Sequence, residues 1–132
     1  MIDDGILKFI ENEKREGDFL YPFYDKYCFS KIPSTILKFF DVKTKTTLPS
    51  KLVPEKNEFK ETNKLILLII DGFGFNQWLR YYEQNEFFSR ITNEGIFSPI
   101  TTVFPSTTAN AITTLNTGLT PQEHGLPEWF VY

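Results

Sequence analysis

Residues 64–75 read KLILLIIDGFGF, and this stretch decides the predicted fold. The six residues 65–70 are all aliphatic, so the segment has the length of a strand without the alternation of a half-exposed one. Such a run is typical of a strand buried on both faces, as in a parallel sheet. Asp71 and Gly72 follow it directly, which places a carboxylate at the carboxyl end of the predicted strand.

The segments downstream alternate between helical and strand patterns. Residues 75–95 (FNQWLRYYEQNEFFSRITNEG) have helical periodicity, and residues 98–104 (SPITTVF) are rich in β-branched side chains. After Pro105, residues 107–118 (TTANAITTLNTG) predict a helix that ends at its glycine. A third strand is expected to start at Trp129. This order predicts an α/β fold with a mostly parallel sheet flanked by helices.

The region upstream has a different character. Apolar residues between positions 2 and 10 recur at helical spacing, and IPSTILKFF at positions 32–40 predicts a second short helix with its proline in the first turn. Residues 41–63 are charged and contain two prolines, which indicates an exposed linker. We therefore predict an amino-terminal helical segment and linker over 1–62, and the first part of an α/β domain over 63–132.

Composition excludes several classes of protein. The 41% hydrophobic content suits a packed core, and the net charge of −3 argues against a nucleic-acid groove. The aliphatic run of six residues is too short to cross a bilayer, and the acidic amino terminus does not resemble a signal peptide. The one cysteine allows neither an intrachain disulfide nor a cysteine-based zinc site. We expect a soluble cytoplasmic protein without a membrane partner.

Asp71 and the hydroxyl groups of residues 106–108 are the first candidates for chemistry. Ligands of open α/β sheets bind at the carboxyl edge of the strands, so Asp71 could bind a divalent metal, or it could cap the next helix. A hydroxyl at a helix amino terminus faces free N–H groups, which suits a phosphoryl group, although ordinary capping would use the same residues. A threonine becomes a strong nucleophile only with a metal or a base beside it.

His124 is the third candidate, as a metal ligand or a general base. Its position in a turn between Pro121 and Gly125 favours a structural role. The chain contains no Walker loop, no G-x-S-x-G nucleophile elbow and no HExxH motif.

Three strings together carry a family resemblance: ILLIIDGFG, TTVFPSTTANAITTLNTG and LTPQEHGL. Their order and spacing resemble those of the type I phosphodiesterase/nucleotide pyrophosphatase group of the alkaline phosphatase superfamily. The resemblance covers residues 65–132 and implies an alkaline phosphatase-like fold. It also implies a hydrolase of phosphodiester or pyrophosphate bonds, acting on a small phosphate ester of nucleotide type.

The resemblance implies roles for individual residues. Asp71 would coordinate one ion of a two-metal site, usually zinc. Thr108 would be a metal ligand and the nucleophile that forms a phospho-threonine intermediate, because its distance from Thr117-Gly118 and His124-Gly125 matches that of the family. The histidine of the His-Gly pair is structural in the family.

Two departures from the family pattern bear on function. Relatives carry a phosphate-binding Asn shortly after the His-Gly pair, and Trp129 stands at that offset here, so Asn110 is a candidate substrate-binding residue in its place. The remaining family ligands are Asp and His residues further downstream, and His124 is the only His in the chain. We therefore expect the polypeptide to continue beyond Tyr132 and the 132-residue piece to be catalytically inert by itself.

Three alternatives stay open. A sulfatase would need Cys or Ser at the nucleophile position, and a phosphomutase of the same superfamily normally uses Ser, so Thr108 counts against both. The third alternative is a non-catalytic α/β binding module that retains the fold without the metals.

Overall fold

The computed structural model describes residues 4–55 and 61–130, in which helices predominate. Six α-helices, one two-stranded sheet and two 3-10 turns follow one another in these ranges. In chain order they are α1 (Asp4–Lys14), β1 (Arg15–Glu16), β2 (Phe19–Leu20), a 3-10 turn (Phe29–Lys31), α2 (Ile32–Phe39), a 3-10 turn (Ser50–Leu52), α3 (Phe75–Tyr81), α4 (Glu86–Glu94), α5 (Thr108–Thr117) and α6 (Pro121–His124). Across the described ranges, no helix combines the length and apolarity that a membrane crossing requires.

The core of the amino-terminal segment forms beneath α1. Ile6 and Ile10 lie one turn apart on the buried face and pack with Tyr27. The Phe9 ring stacks on Phe23 at 5.7 Å between centroids. This confirms the predicted first helix from residue 4 onward; residues 1–3 lie outside the described residues.

A tight hairpin follows α1 and forms the described sheet. β1 and β2 pair antiparallel, with Arg15 opposite Leu20 and Glu16 opposite Phe19. The two-residue loop between them places Gly17 at φ 58°, in the left-handed region that glycine adopts without a steric cost.

The second helix forms as predicted, with Pro33 in the first turn of α2. The following loop is more ordered than the predicted linker, because it folds back onto α2. The backbone N–H of Leu48 donates to the Thr35 hydroxyl at 2.9 Å, and the N–H of Val42 donates to the carbonyl of Leu37 at 3.0 Å. Residues 56–60 of the predicted linker lie outside the described residues.

The predicted parallel sheet is wrong for the described residues. Residues 65–70 form no strand, and their side chains are exposed, from 42% for Leu65 to 93% for Ile66. Residues 98–104 form only an isolated parallel bridge, between Thr101 and Cys28. No strand forms at Trp129, where the chain bends. The backbone N–H and C=O groups of a strand need hydrogen-bonding partners on a neighbouring strand, and a run of aliphatic residues does not identify the segment that provides them.

The single helix predicted over 75–95 is also wrong, because the chain forms two helices there. The side chain of Asn85 accepts a hydrogen bond from the N–H of Phe88 at 3.2 Å, which starts α4 as an N-cap. Because the helical spacing of apolar residues continues through Asn85, the sequence pattern did not reveal this cap. The resulting fold contains both helices and strands, as an α/β prediction requires, with helices far in the majority.

Thr101 joins the amino-terminal segment to the downstream half of the chain. Its backbone N–H donates to Tyr27 O, and its carbonyl accepts from Phe29 N, both at 2.8 Å. Its buried hydroxyl donates to Tyr27 O and accepts from Phe23 N, again at 2.8 Å. Residues 23–29 therefore cover the backbone around Thr101 and support the loop that leads into α5.

Candidate active site

Asp71 lies in an exposed turn between the aliphatic segment and α3. Gly72 follows at φ 68°, and its N–H donates to Asp71 Oδ1 at 2.9 Å. The N-cap of α3 is Gly74, so Asp71 does not cap that helix. The alternative capping role considered for Asp71 is therefore wrong, and its second carboxylate oxygen faces another part of the chain.

Thr108 is the partner of that second oxygen. It is the first residue of α5, and its hydroxyl donates to Asp71 Oδ2 at 3.0 Å across 37 residues of sequence. Both side chains are exposed to solvent. Two of the sequence-predicted site residues therefore lie in direct contact, at a position that a small molecule can reach.

The neighbouring threonine has a different contact. Thr107 is the N-cap residue of α5 in extended conformation, yet its hydroxyl makes no capping hydrogen bond. It donates instead to Pro127 O at 3.1 Å. Thr107 therefore attaches the segment after α6 to the start of α5, while Thr108 faces the carboxylate. The sequence contained no signal for this contact.

Helix α5 holds Thr108 on a well-anchored backbone. Asn110 and Thr114, one turn apart, are buried on one face of the helix with Ala109 beside them, and Gly118 closes it in the left-handed region at φ 70°. Because the first N–H groups of a helix have no intrahelical acceptor, the backbone at Thr108 presents free donors. These donors and the positive end of the helix dipole favour an anion.

Asn110 lies in the interior beside this helix start. It is fully buried, and its amide nitrogen donates to Pro105 O at 2.6 Å. Its Oδ1 accepts no hydrogen bond from the described residues. The observed role of Asn110 is to hold the loop before α5. Its packing gives no support to substrate binding, which stays a prediction.

His124 ends the short helix α6 and uses both ring nitrogens for contacts within the protein. Nδ1 accepts from the N–H of Leu126 at 3.1 Å, and Nε2 lies 3.0 Å from the hydroxyl of the fully buried Thr114. Since a backbone N–H can only donate, Nδ1 is the acceptor, and Nε2 carries the proton of the neutral ring. This arrangement ties α6 to α5.

Glu123, in the same short helix, has a carboxyl group whose pKa is changed by its hydrogen bonds. Its carboxylate accepts hydrogen bonds from the backbone N–H of Thr120 at 2.7 Å and from the Thr120 hydroxyl at 2.8 Å. These bonds hold the pKa of the exposed Glu123 carboxyl below its usual range. The lowered pKa of Glu123 results from hydrogen bonds that cap α6, and the contact between Asp71 and Thr108 has no part in it.

The oxygen atoms of Asp71 and Thr108 provide only some of the ligands that a divalent cation needs. A carboxylate and a hydroxyl are oxygen ligands of the required type, but no group of three or more His, Cys, Asp or Glu side chains is placed to hold a metal within residues 4–55 and 61–130. The described residues therefore fit two positions of a coordination shell that needs at least four.

Aromatic side chains surround the turn that carries Asp71. Phe73 lies 5.3 Å from the Phe88 ring, and Phe75 stacks on Phe97 at 6.0 Å. Trp78 packs against both Phe88 and Phe97 and donates its indole N–H to Thr92. A cavity of about 220 Å³ opens beside Phe73 and Phe75. These rings anchor the turn to α3 and α4.

The comparison with protein families agrees with these motifs. A family model described as type I phosphodiesterase / nucleotide pyrophosphatase matches residues 65–131, just over half of the 132-residue chain. The matched range includes Asp71, Thr108 and His124. No curated protein and no solved structure matches the chain. The match confirms the resemblance seen in the sequence, and the chain belongs to the type I phosphodiesterase / nucleotide pyrophosphatase family.

Proposed function

We propose that this chain supplies the nucleophile and one metal ligand to a hydrolase of phosphodiester or pyrophosphate bonds in nucleotide-type substrates. The observation that supports the proposal is the 3.0 Å contact between the Thr108 hydroxyl and Asp71 Oδ2. Family membership implies hydrolysis of this class of bond. The contact brings together a hydroxyl and a carboxylate that would take part in the reaction.

Asp71 and Thr108 would together hold one ion of a pair of divalent cations, which we propose to be zinc. When bound, such ions supply positive charge that favours the ionised hydroxyl and stabilises the leaving oxygen. The remaining ligands would come from polypeptide carboxyl-terminal to Tyr132. Two features support this: the described residues offer too few ligands, and residues 65–70 expose an aliphatic surface that further polypeptide would cover.

The proposed reaction has two displacements. The Thr108 oxygen loses its proton, forms a bond to phosphorus and expels the first ester oxygen, which leaves as an alcohol or a phosphate after protonation. The phosphoryl group, now esterified to Thr108, is then attacked by water, which restores the threonine and releases the second product. The free N–H groups at the start of α5 would bind the non-bridging oxygens during both steps.

The polar contacts at the site support separate tasks for Thr107 and Thr108. Thr108 is exposed and hydrogen-bonded to the carboxylate, as a nucleophile requires. Thr107 is bonded to a backbone carbonyl, so its hydroxyl is not directed at Asp71. We expect hydrolysis to depend on the first hydroxyl and to tolerate loss of the second far better.

The test uses the complete gene product with bis(4-nitrophenyl) phosphate and zinc. Thr108→Ala should lower kcat by at least about 10³-fold, because the nucleophile is removed, whereas Thr108→Ser should keep measurable turnover. The 132-residue chain alone should show no turnover. A complete protein that neither hydrolyses the diester nor gains thermal stability with zinc would favour a non-catalytic binding module.

A further inference from the structure

A cavity with a basic lining lies beside α2, in the part of the chain that precedes the family-matched residues 65–131. Its volume is about 740 Å³, within the range of roughly 300–1,000 Å³ that small-molecule sites occupy. The charged residues that line it are Lys38, Lys43, Lys45, Lys51, Asp41 and Glu55. Among the described residues, lysines therefore outnumber carboxylates around this basic cavity, although the whole chain has a net charge of −3.

Hydrogen bonds fix the loop that carries the middle two of these lysines. The N–H of Leu48 donates to the Thr35 hydroxyl at 2.9 Å, and Nζ of Lys31 donates to the Thr46 hydroxyl at 3.1 Å. Thr35 belongs to α2, and Lys31 directly precedes that helix. The loop is therefore attached to the helix at two neighbouring points, which limits how far its lysines can move away from the cavity.

The end of α2 turns the chain into this loop. Asp41 has φ 62°, in the left-handed region that Asp tolerates better than most residues. The N–H groups of Asp41 and Val42 donate to the carbonyl groups of Lys38 and Leu37, both at 3.0 Å. These bonds occupy carbonyl oxygens at the helix end, whose partial negative charge would otherwise disfavour an anion nearby.

The lysine arrangement favours a ligand with several negative charges. The four lysines come from three segments, namely the end of α2, the loop and the second 3-10 turn, so a ligand needs several anionic groups to use them all. Lys43 and Lys45 are exposed, and neither forms an ion pair with a described carboxylate. Lysine ammonium groups are common phosphate ligands in proteins. One such lysine would be an ordinary solvated side chain, and it is their convergence on one cavity that indicates a ligand.

We propose that the basic cavity binds a polyphosphate, a small molecule that carries two or more linked phosphate groups, and that Lys43 and Lys45 are ligands of these groups. This binding involves neither Asp71 nor Thr108 and requires neither a metal nor turnover. It therefore goes beyond the proposed hydrolase function and can fail independently of it.

The test is isothermal titration calorimetry of the 132-residue chain with inorganic tripolyphosphate in EDTA. Lys43→Gln and Lys45→Gln should each weaken binding about fivefold, because each removes one positive charge beside the ligand. Lys8→Gln is the matched control, since it removes the same charge from an exposed residue of α1 outside the cavity, and it should change the affinity by less than about twofold. Glu55→Gln should strengthen binding, because it removes a charge that repels phosphate.

The ligand class and the location are tested separately. Inorganic monophosphate should bind at least about tenfold more weakly than tripolyphosphate, because it meets fewer lysines. In nitrogen-15 NMR spectra, tripolyphosphate should shift the amide signals of residues 38–51 and not those of residues 107–110 at the start of α5. Circular dichroism should show that every variant is folded, since the substituted side chains are exposed.

Absence of binding at millimolar tripolyphosphate would overturn the inference. Equal losses in Lys43→Gln and Lys8→Gln would also overturn it, because the whole-chain charge would then explain the binding. Signal changes centred on residues 107–110 would place the anion at the candidate active site and contradict the proposal, and equal affinity for monophosphate would contradict the ligand class.

Discussion

Replacing Thr101 by valine should destabilise the fold, because this hydroxyl joins the amino-terminal segment to the family-matched half of the chain. Valine has the same shape and suits extended backbone equally well, so the change removes only the hydroxyl. Tyr27 O would keep its bond from the Thr101 backbone, but the N–H of Phe23 would lose its acceptor in a part-buried position. The two hydrogen bonds of the hydroxyl are lost and one donor is left unsatisfied, which gives an expected cost of about 2 kcal/mol.

The assay is urea denaturation of the 132-residue chain followed by circular dichroism. With a slope of about 2 kcal/mol/M, the midpoint of Thr101→Val should fall by about 1 M without a change in slope. Thr102→Val is the matched control, because the neighbouring threonine is exposed, and it should change the free energy of unfolding by less than about 0.5 kcal/mol. Equal midpoints for the two variants would refute the role assigned to the Thr101 hydroxyl.

Further predictions concern the supports around the site. Thr92→Val removes the buried acceptor of the Trp78 indole N–H and should cost about 1–2 kcal/mol in urea denaturation, while Thr92→Ser should cost less; equal losses would contradict the hydrogen-bond argument. Because hydrogen bonding lowers the pKa of Glu123 in the folded state, its stabilising contribution should be present above the ordinary carboxyl pKa of about 4.3 and disappear as the pH falls through the lower folded value. The melting temperature of Glu123→Gln should therefore lie slightly below that of the unmodified chain at pH 7 and converge with it in acid, and a constant difference would refute this. His124→Ala should lower the melting temperature of the complete protein but leave its zinc-induced increase unchanged, since both ring nitrogens serve contacts within the chain; loss of the zinc response would make His124 a ligand.

The sequence predicted the helices with strong local signals. Pro33 in a first turn, Gly118 after a periodic run and the apolar spacing around Ile6 each act within a few residues of chain. Capping and amphipathic packing depend on residues close together in the chain, so a single sequence contains most of the information needed to locate the helices. The Asn85 cap was missed because the apolar period continued across it.

The strands could not be predicted in the same way. To be buried in a sheet, an aliphatic run such as residues 65–70 would require neighbouring strands on both sides, and sequence periodicity does not identify them. In the described residues Thr101 finds a partner in Cys28, from the amino-terminal segment, which no local pattern indicated. The two-stranded sheet forms instead at a Gly-Asp hairpin directly after α1, where no strand was predicted.

The candidate site was predictable as a set of residues and not as a geometry. The family resemblance, through the spacing to Thr117-Gly118 and His124-Gly125, indicated Thr108, and the end of the aliphatic run indicated Asp71. Their contact at 3.0 Å spans 37 residues and depends on packing that no motif encodes. The hydrogen bond from the Thr107 hydroxyl to Pro127 O likewise joins residues that are distant in sequence.

The most direct test of the central claim is to locate the covalent intermediate by mass spectrometry. The complete gene product would be mixed with a nucleotide ester in the presence of zinc, quenched in acid within milliseconds, digested and sequenced by tandem fragmentation. We predict a phosphoryl group, with its remaining ester substituent, on Thr108 and not on Thr107. Active enzyme that carries no adduct on Thr108, or turnover retained in Thr108→Ala, would contradict the account.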